Sequence, residues 1–539
     1  MVSQRQLSQK GKSSYQVYVL LMVVGLLLAV LTTAFTDHRV NPNASQVPVQ
    51  PVLLDLASSR PDEQVSVIVQ KEPGATQVES SVMDLGGTVT KNLSIINAFT
   101  ADMRAKIIPE LAKVHGIRWV SFDAPVVKSN LPWPLINYVD DSDLINTYDF
   151  NVKANKVWTK TVSGQEQPWL QGDGVGVAVL DSGINQQQDL YTTRGSNRIV
   201  GSTSFASGWS GTTPWDDNGH GTHVAGIIGG NGNASDGNYI GIAPMANLIN
   251  VKVSDNNGVS NASSVVQGLQ WVLNNKSTYN IRVVNLSFNS SMPGSYNTDA
   301  MAAACEILWF NGIVVVTSAG NKGSEGIYPP ANDPFVITVG AVDEKGSKTP
   351  GDGKMSAATF SAYGTDEMGG IKPDLVAPGT NIISLLASPN DVLALQHGAN
   401  VVNSSYFKMS GTSLSAPIVS GAVALLLQSE PNLNPDQVKY RLMSTALQKN
   451  SRGSWDTRAK WTTYNSKKAG SGMLDIEAAV NNKLMGTTPN KGKPQSAIIN
   501  SDGAVWTSAN WSSANWSSAN WSSANWSSAN WSSTYWGNK

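Results

Sequence analysis

The chain has 539 residues, enough for several domains and for a large buried core. Its 38 Lys and Arg against 39 Asp and Glu leave a net charge of −1, so the charge balance carries no footprint of a nucleic-acid or polybasic membrane partner. Low net charge with 41% hydrophobic residues excludes a largely disordered chain, and a single cysteine, Cys305, excludes a disulfide scaffold and any paired-cysteine metal or redox site.

In chain order, residues 15–34 are almost wholly apolar, preceded by Arg5, Lys10 and Lys12 and followed by Asp37 and His38. About 20 apolar residues span a bilayer core, with the basic flank held in the cytoplasm. Residues 1–36 are therefore expected to be an export element, either a cleaved signal peptide or a retained anchor. Thr32-Thr33-Ala34 is a poor cleavage site, and the apolar run exceeds a normal signal core. Residues 37–61 read as a linker. From Gln64 the pattern VSVIVQ predicts a strand, followed by a more polar stretch over 75–85 and a turn at Gly86-Gly87. TVTKNLSIINAFTADM reads as further strand, IIPELAKVHG as a short helix closed by Gly116, and IRWVSFDAPV as a last strand. The stretch 62–130 is thus a small α+β unit, near the lower size limit for independent stability.

From 131 to 484 continuous apolar segments (GVGVAVLDSG, LINVKVS, IRVVNLSF, GIVVVTSAG, FVITVGAV, NIISLLA) alternate with helical ones (HVAGIIGG, ASSVVQGLQWVL, TDAMAAACEILWF, SLSAPIVSGAVALLLQSE). Unbroken apolar strands alternating with helices predict a parallel sheet covered on both faces, with functional groups beyond the carboxyl ends of the strands. The third helical segment holds Cys305 in apolar surroundings, which reads as an inert buried thiol.

Three polar residues fall at such positions. Asp181 ends GVAVLD, His220 opens the helix in DDNGHGTHVAGIIGG, and Ser413 lies where Gly411 releases the chain into a long apolar helix. A hydroxyl at a helix N-terminus feels the positive end of the dipole; a histidine can take its proton, and a carboxylate can fix the imidazole tautomer. Each residue alone reads as a cap or a strand end. The three together point to nucleophilic catalysis.

Residues 485–501 are rich in Pro, Lys and Ser and read as a second linker. In 502–539 tryptophans recur every five residues from Trp506 to Trp536. Period five matches neither a helix nor a strand, so no single face collects the indoles. Two readings stand open: a flexible low-complexity tail, or a ladder of aromatic plates that stacks on polysaccharide or on copies of itself.

The phrases VAVLDSGI, GHGTHVAGIIGG (219–230), VVNLSF (283–288), VVVTSAGNKG (314–323), KPDLVAPG (372–379) and SGTSLSAPIVSGAVALL (410–426) resemble the subtilisin-like serine proteases, the subtilases, over roughly residues 145–484. The chain order Asp, His, Ser is that of subtilisin. The resemblance implies an α/β, three-layer domain with a mostly parallel sheet covered by helices, preceded by an inhibitory α+β propeptide that is cut between residues 128 and 155. It implies nucleophile Ser413, base His220, orienting carboxylate Asp181, oxyanion donor Asn321, and a structural role for His223. It places substrate binding at Ser287, Phe288, Asn289, Gly258, Ser318, Ala319, Gly320 and Lys322. Asn289 stands where the family usually has Gly, and Lys322 where relatives often carry an acid, so basic side chains are expected to be disfavoured beside the scissile bond.

By the same resemblance a structural Ca2+ would be held by Asp189 and the 231–238 loop through Asn231, Asn233 and Asp236, although such Asn/Asp/Gly loops also form turns with no ion. No cofactor is expected for catalysis. The chain is thus expected to be an exported serine endopeptidase, made as a zymogen, acting on proteins or peptides, with no nucleic-acid partner. The rival expectation is a surface structural or adhesion protein whose protease domain serves its own maturation.

Overall fold

The computed structural model describes residues 49–128, 146–192, 194–208, 214–350, 355–449, 455–456, 466–483 and 489–499. The expected export element 1–36 and the Trp-rich repeats lie outside the described residues.

Within the linker expected over 37–61, the described residues 49–61 carry the first element. Helix α1 (Pro51–Ser59) starts on a proline whose ring presets the first φ, and it buries Leu53 completely against the small unit. Val49, Leu53 and Leu56–Ala57 make a helical apolar stripe that was legible in the sequence.

The unit that follows is α+β, as expected. Strand β1 (Gln64–Lys71) leads to helix α2 (Val78–Asp84), then to β2 (Thr88–Leu93), β3 (Ala98–Arg104) and β4 (Ile117–Phe122). These form one antiparallel sheet in the order β2-β3-β1-β4. Helix α2 falls in the more polar stretch 75–85, to which no element was assigned; its Val78 and Val82, four apart, are its buried residues. The stretch read as one strand is two, broken at Asn97 in the left-handed conformation (φ 50°). A further strand, β5 (Pro125–Lys128), leaves this unit altogether and pairs with the large domain.

The large domain is built on one sheet. Its strands, in chain order, are β6 (Gly176–Asp181), β7 (Ile199–Ser204), β8 (Asn247–Lys252), β10 (Ile281–Leu286), β12 (Val314–Ser318), β13 (Ile337–Asp343), β14 (Ser356–Ala357) and β15 (Leu375–Pro378); the two short strands β9 (Ser260–Asn261) and β11 (Phe288–Ser290) lie outside it. The sheet order is β14-β13-β12-β10-β6-β8-β7, with β15 also on β13, and every pairing is parallel except β13 with β14. After β6 the chain runs to the edge strand β7, returns to β8 between β7 and β6, then crosses to β10 on the other side of β6. The direction of winding reverses between β6 and β10, the place where such sheets open a crevice at their carboxyl edge. NIISLLA does not join this sheet: β16 (Ile382–Leu385) pairs antiparallel with β17 (Tyr406–Met409) as a separate ribbon. LVAP takes the place in the sheet instead, as β15.

Helices α3 (His220–Gly229), α4 (Ala262–Asn275), α5 (Ala300–Phe310) and α6 (Thr412–Ser429) cover the sheet. Helix α6 is long and apolar enough to cross a bilayer, but 89% of it is buried in the protein, as a helix apolar on all sides requires. Cys305 on α5 is buried, and desolvation pushes its thiol well above the ordinary range, so it is inert.

The small unit docks through polar as well as apolar contacts. Asp123 caps the start of α4, its carboxylate accepting from Ser263 N at 2.9 Å and Ser263 Oγ at 2.6 Å. Lys91 Nζ reaches Ser263 Oγ (2.8 Å) and Ser264 Oγ (3.2 Å), and Gln270 Oε1 accepts from Ile95 N (3.2 Å). The positive end of the α4 dipole thus meets a buried carboxylate from the small unit.

Within the expected linker 485–501, the described residues 489–499 form a packed strap. Asn490 Nδ2 donates to Asp436 Oδ1 (2.8 Å), and Ser496 N donates to the buried Glu306 carboxyl (2.8 and 3.1 Å). Ile498 is 6% exposed in the core, and Gln70 and Arg118 of the small unit donate to the carbonyls of Ile498 and Ala497. Composition conceals this because a few anchor side chains, not an apolar periodicity, hold the strap.

Two residues fasten the segment before the main sheet: the Asn146 amide donates to Ile240 O (2.6 Å), and the Thr147 hydroxyl donates to the buried Glu344 carboxyl (2.9 Å). Burial raises the Glu344 pKa to about 8. A carboxyl whose pKa is raised on folding contributes stability at acid pH that is lost as pH rises through the folded value. Glu344→Gln has no charge to bury. Its melting temperature relative to wild type is expected to rise between pH 5 and pH 9; a difference that stays flat would mean the carboxyl is solvated.

Candidate active site

Asp181 ends β6 with its side chain 1% exposed, and its Oδ1 accepts from Ser182 N at 2.7 Å. His220, the first residue of α3, is fully buried, and its Nδ1 lies 2.7 and 2.9 Å from the two carboxylate oxygens. The carboxylate only accepts, so Nδ1 carries the proton and Nε2 is the basic nitrogen of the ring. That Nε2 is buried and has no hydrogen-bond partner among the described residues.

Two glycines let the helix start this close to the strand. Gly219 sits at φ +100°, and a Cβ on Gly221 would lie 2.2 Å from Gly183 O. Asp216, inside the DDNGHG phrase, was not singled out from sequence. Its buried carboxylate accepts from Gly219 N (2.9 Å), Thr222 N (2.8 Å), Thr222 Oγ1 (2.7 Å) and Ser182 Oγ (2.8 Å), so it ties the first turn of α3 to the end of β6. An acid four residues before a helix-opening histidine is the signal that could have found it. Lys252, opposite Asp181 in the neighbouring strand, is likewise new: fully buried, it donates to Trp215 O (3.0 Å) and to Ser182 O. His223 is buried with Nε2 2.9 Å from Phe407 O; desolvation lowers its pKa to about 3, so it stays neutral and structural.

Ser413 is fully buried in the first turn of α6. Three strand ends hold this turn. Ser287 Oγ donates to Ser413 O (2.8 Å), Gly320 N donates to Thr412 Oγ1 (3.1 Å), and Gly411 N donates to Gly379 O (2.8 Å). Asn321 Oδ1 accepts from both Thr412 N and Thr412 Oγ1 at 3.0 Å. That pair fixes the amide orientation and leaves the Nδ2 hydrogens as its donating side. Helices α3 and α6, which carry His220 and Ser413, pack against each other.

The cleft beside these residues is filled by β5. Pro125–Lys128 runs antiparallel to β11, with Val126, Val127 and Lys128 opposite Ser290, Asn289 and Phe288. On its other side Val126 and Pro125 face Ser260 and Asn261 of β9. The second edge therefore falls at 260–261 and not at 257–259. Residues 255–259 close a turn on themselves (Asp255 N to Val259 O 2.8 Å, Gly258 N to Asp255 O 2.9 Å), so the amide of Gly258, at φ +80°, is committed within that turn. Phe288 points into the core at 2% exposure, Ala319 N donates to Val339 O (2.9 Å), and Lys322 Nζ lies 3.2 Å from the Tyr328 ring centroid.

The expected calcium ligands do not fit an ion. Asp189 Oδ1 accepts from Ala234 N (2.6 Å) and Oδ2 from the Tyr406 hydroxyl (2.6 Å), whose pKa burial raises first and the Asp189 bond second. Asn231 spends Nδ2 on Tyr191 O (2.6 Å) and Oδ1 on Asn233 N (3.1 Å), while Asp236 occupies a left-handed turn position at φ 51°. A buried cation of the chain's own already sits here: Arg198 donates to Asp189 O (2.6 Å), Ala246 O (3.0 Å) and Gly229 O. Calcium needs six or more free oxygens. No cluster of three or more His, Cys, Asp or Glu side chains suited to a metal occurs among the described residues. A chelator is therefore expected to leave the melting temperature unchanged; a fall that Asp189→Asn abolishes would place an ion at this carboxylate.

A buried Asp–His pair joining a strand end to a helix N-terminus, beside a serine at a second helix N-terminus over one parallel sheet, is the arrangement of a serine hydrolase. The model of the subtilase family matches residues 172–523, beyond the strap and into the Trp repeats. Serine protease AprX of Bacillus subtilis is 40% identical over 280 residues, 51% of this chain and 61% of AprX. The thermostable alkaline protease of Halalkalibacterium halodurans is 30% identical over 72% of this chain and 88% of its own length, and subtilisin Savinase of Lederbergia lenta is 34% identical over 58% and 92%. Fervidolysin from Fervidobacterium pennivorans, described as a keratinolytic enzyme related to subtilisin, shares the fold with a TM-score of 0.57 at 24% identity, over 80% of this chain and 63% of that one. This chain belongs to the subtilase family of subtilisin-like serine peptidases.

Proposed function

We propose that the chain is an exported serine endopeptidase made as a self-inhibited zymogen. Ser413 Oγ attacks the peptide carbonyl carbon and gives its proton to His220 Nε2, while Asp181 holds Nδ1–H and stabilises the imidazolium. The oxyanion is received by Asn321 Nδ2 and the Ser413 amide at the positive end of α6. Collapse of the tetrahedral adduct breaks the C–N bond, and the imidazolium proton passes to the leaving amine. Water, deprotonated by the same His220 Nε2, then hydrolyses the acyl ester on Ser413. No cofactor enters.

One observation carries the reading: β5 lies antiparallel between β9 and β11 and runs toward Ser287, which is hydrogen-bonded to Ser413. An extended peptide bound through its main chain is how a protease holds many sequences, and here the peptide belongs to the chain itself. The small unit 62–130, docked on α4 through Asp123 and Lys91, is on this reading an inhibitory propeptide that presents its own C-terminal strand. The apolar segment 15–34 with its basic flank supports export.

Expression of the full chain is expected to yield a shorter species whose N-terminus falls between residues 128 and 155. Ser413→Ala is expected to remain a single full-length species. Processing of that variant at the same position would show that another protease makes the cut.

A further inference from the structure

We propose that Asn289 sets the specificity of this cleft, restricting the residue on the acyl side of the scissile bond to small side chains. The proposal rests on the peptidase reading above. Strands β10 and β12 are neighbours, paired from Val283 with Val314 to Leu286 with Thr317. Beyond that point they part. The first turns through Ser287 into β11 and follows the strand that fills the cleft, whereas the second ends at Ser318 and passes through Ala319 and Gly320 to Asn321. Adjacent parallel strands that diverge at their carboxyl ends leave a crevice. Both lips of this crevice are fastened to the nucleophile's turn, through Ser287 Oγ on Ser413 O and Gly320 N on Thr412 Oγ1. A peptide that lies along β11 and brings a carbonyl to Ser413 must direct the adjoining side chain at this crevice.

Asn289 bridges it. Its Nδ2 donates to Ser318 O at 2.8 Å, and its Oδ1 lies 3.3 Å from the place a Cβ on Gly320 would occupy. The residue is 5% exposed. Side chains alternate along a strand, and the preceding Phe288 is locked into the core at 2% exposure, so β11 cannot rotate to swing the amide aside. Admitting a Leu or Phe side chain requires breaking a buried hydrogen bond, which costs about tenfold or more in rate constant. On the same lip Lys322 holds its ammonium over the Tyr328 ring, a fixed positive charge that opposes Lys or Arg in the substrate. The cleft should therefore select Gly, Ala or Ser.

The test uses the full chain, allowed to process, on fluorogenic peptides that differ only in the acyl-side residue (Gly, Ala, Ser, Leu, Phe, Glu, Lys). Wild type is expected to show kcat/KM for Ala or Ser at least about tenfold above that for Leu or Phe. Asn289→Gly and Asn289→Ala are each expected to raise Leu and Phe about tenfold relative to Ala. The proposal is overturned if wild type prefers Leu or Phe, a result independent of how either variant folds, or if both variants keep the wild-type profile. Absence of any cleavage together with absence of fluorophosphonate labelling would overturn the peptidase reading itself, and this proposal with it.

Discussion

The hydrogen bond between Asp181 and His220 is the contact on which the rest of the site depends, because it commits Nδ1 of the ring and so leaves Nε2 as its basic nitrogen. Neither residue could hold that geometry alone. The carboxylate is fixed by Ser182 N at the strand end, and the imidazole is fixed by a helix start that Gly221 allows to approach within contact of Gly183. Asp216 binds the two pieces together: it accepts from the first turn of α3 and, through the Ser182 hydroxyl, reaches the residue next to Asp181. The two buried carboxylates, Asp181 and Asp216, would repel each other without compensation. The buried Lys252 ammonium and the positive end of the α3 dipole supply it.

The same economy of backbone groups shapes the cleft. Strands β9 and β11 lie outside the main sheet, so the edges at 260–261 and 288–290 have ladder groups to share with an incoming strand, and β5 pairs with both. Docking is not left to those few hydrogen bonds. Asp123 neutralises the α4 terminus, Ile68, Leu93 and Ile96 enter the core of the large domain, and the strap at 489–499 reaches the small unit through Gln70 and Arg118. A unit of such small size gains much of its order from this surface.

The central strands and covering helices were legible because a buried parallel strand is apolar without interruption, and β6, β8, β10, β12 and β13 all read that way. Misreadings arose where identity depends on a partner distant in sequence. NIISLLA is as apolar as any sheet strand, yet it pairs with Tyr406–Met409, and the short LVAP occupies the sheet in its place. The residues 51–59 and 489–499 looked like linkers by composition, while Leu53 and Ile498 anchor them in cores. At the site, Asp181, His220 and Ser413 stood at strand and helix ends where chemistry collects. Asp216 and Lys252 were passed over, since an acid in a polar turn and a lysine in VKV announce nothing until burial gives them partners. For the 231–238 loop the sequence left calcium and a plain turn both open, because oxygen-rich sequence does not say whether its oxygens already have partners such as Ala234 N and the Tyr406 hydroxyl on Asp189.

The convergence of Ser413 and His220 on one reacting carbonyl is tested most directly by treating the full chain with a fluorophosphonate and locating the adduct by mass spectrometry. A single phosphonyl group on the peptide that contains Ser413, lost when His220 is replaced by Ala, is the expected result. No adduct, an adduct on another residue, or labelling of Ser413 that is undiminished without the imidazole would contradict it.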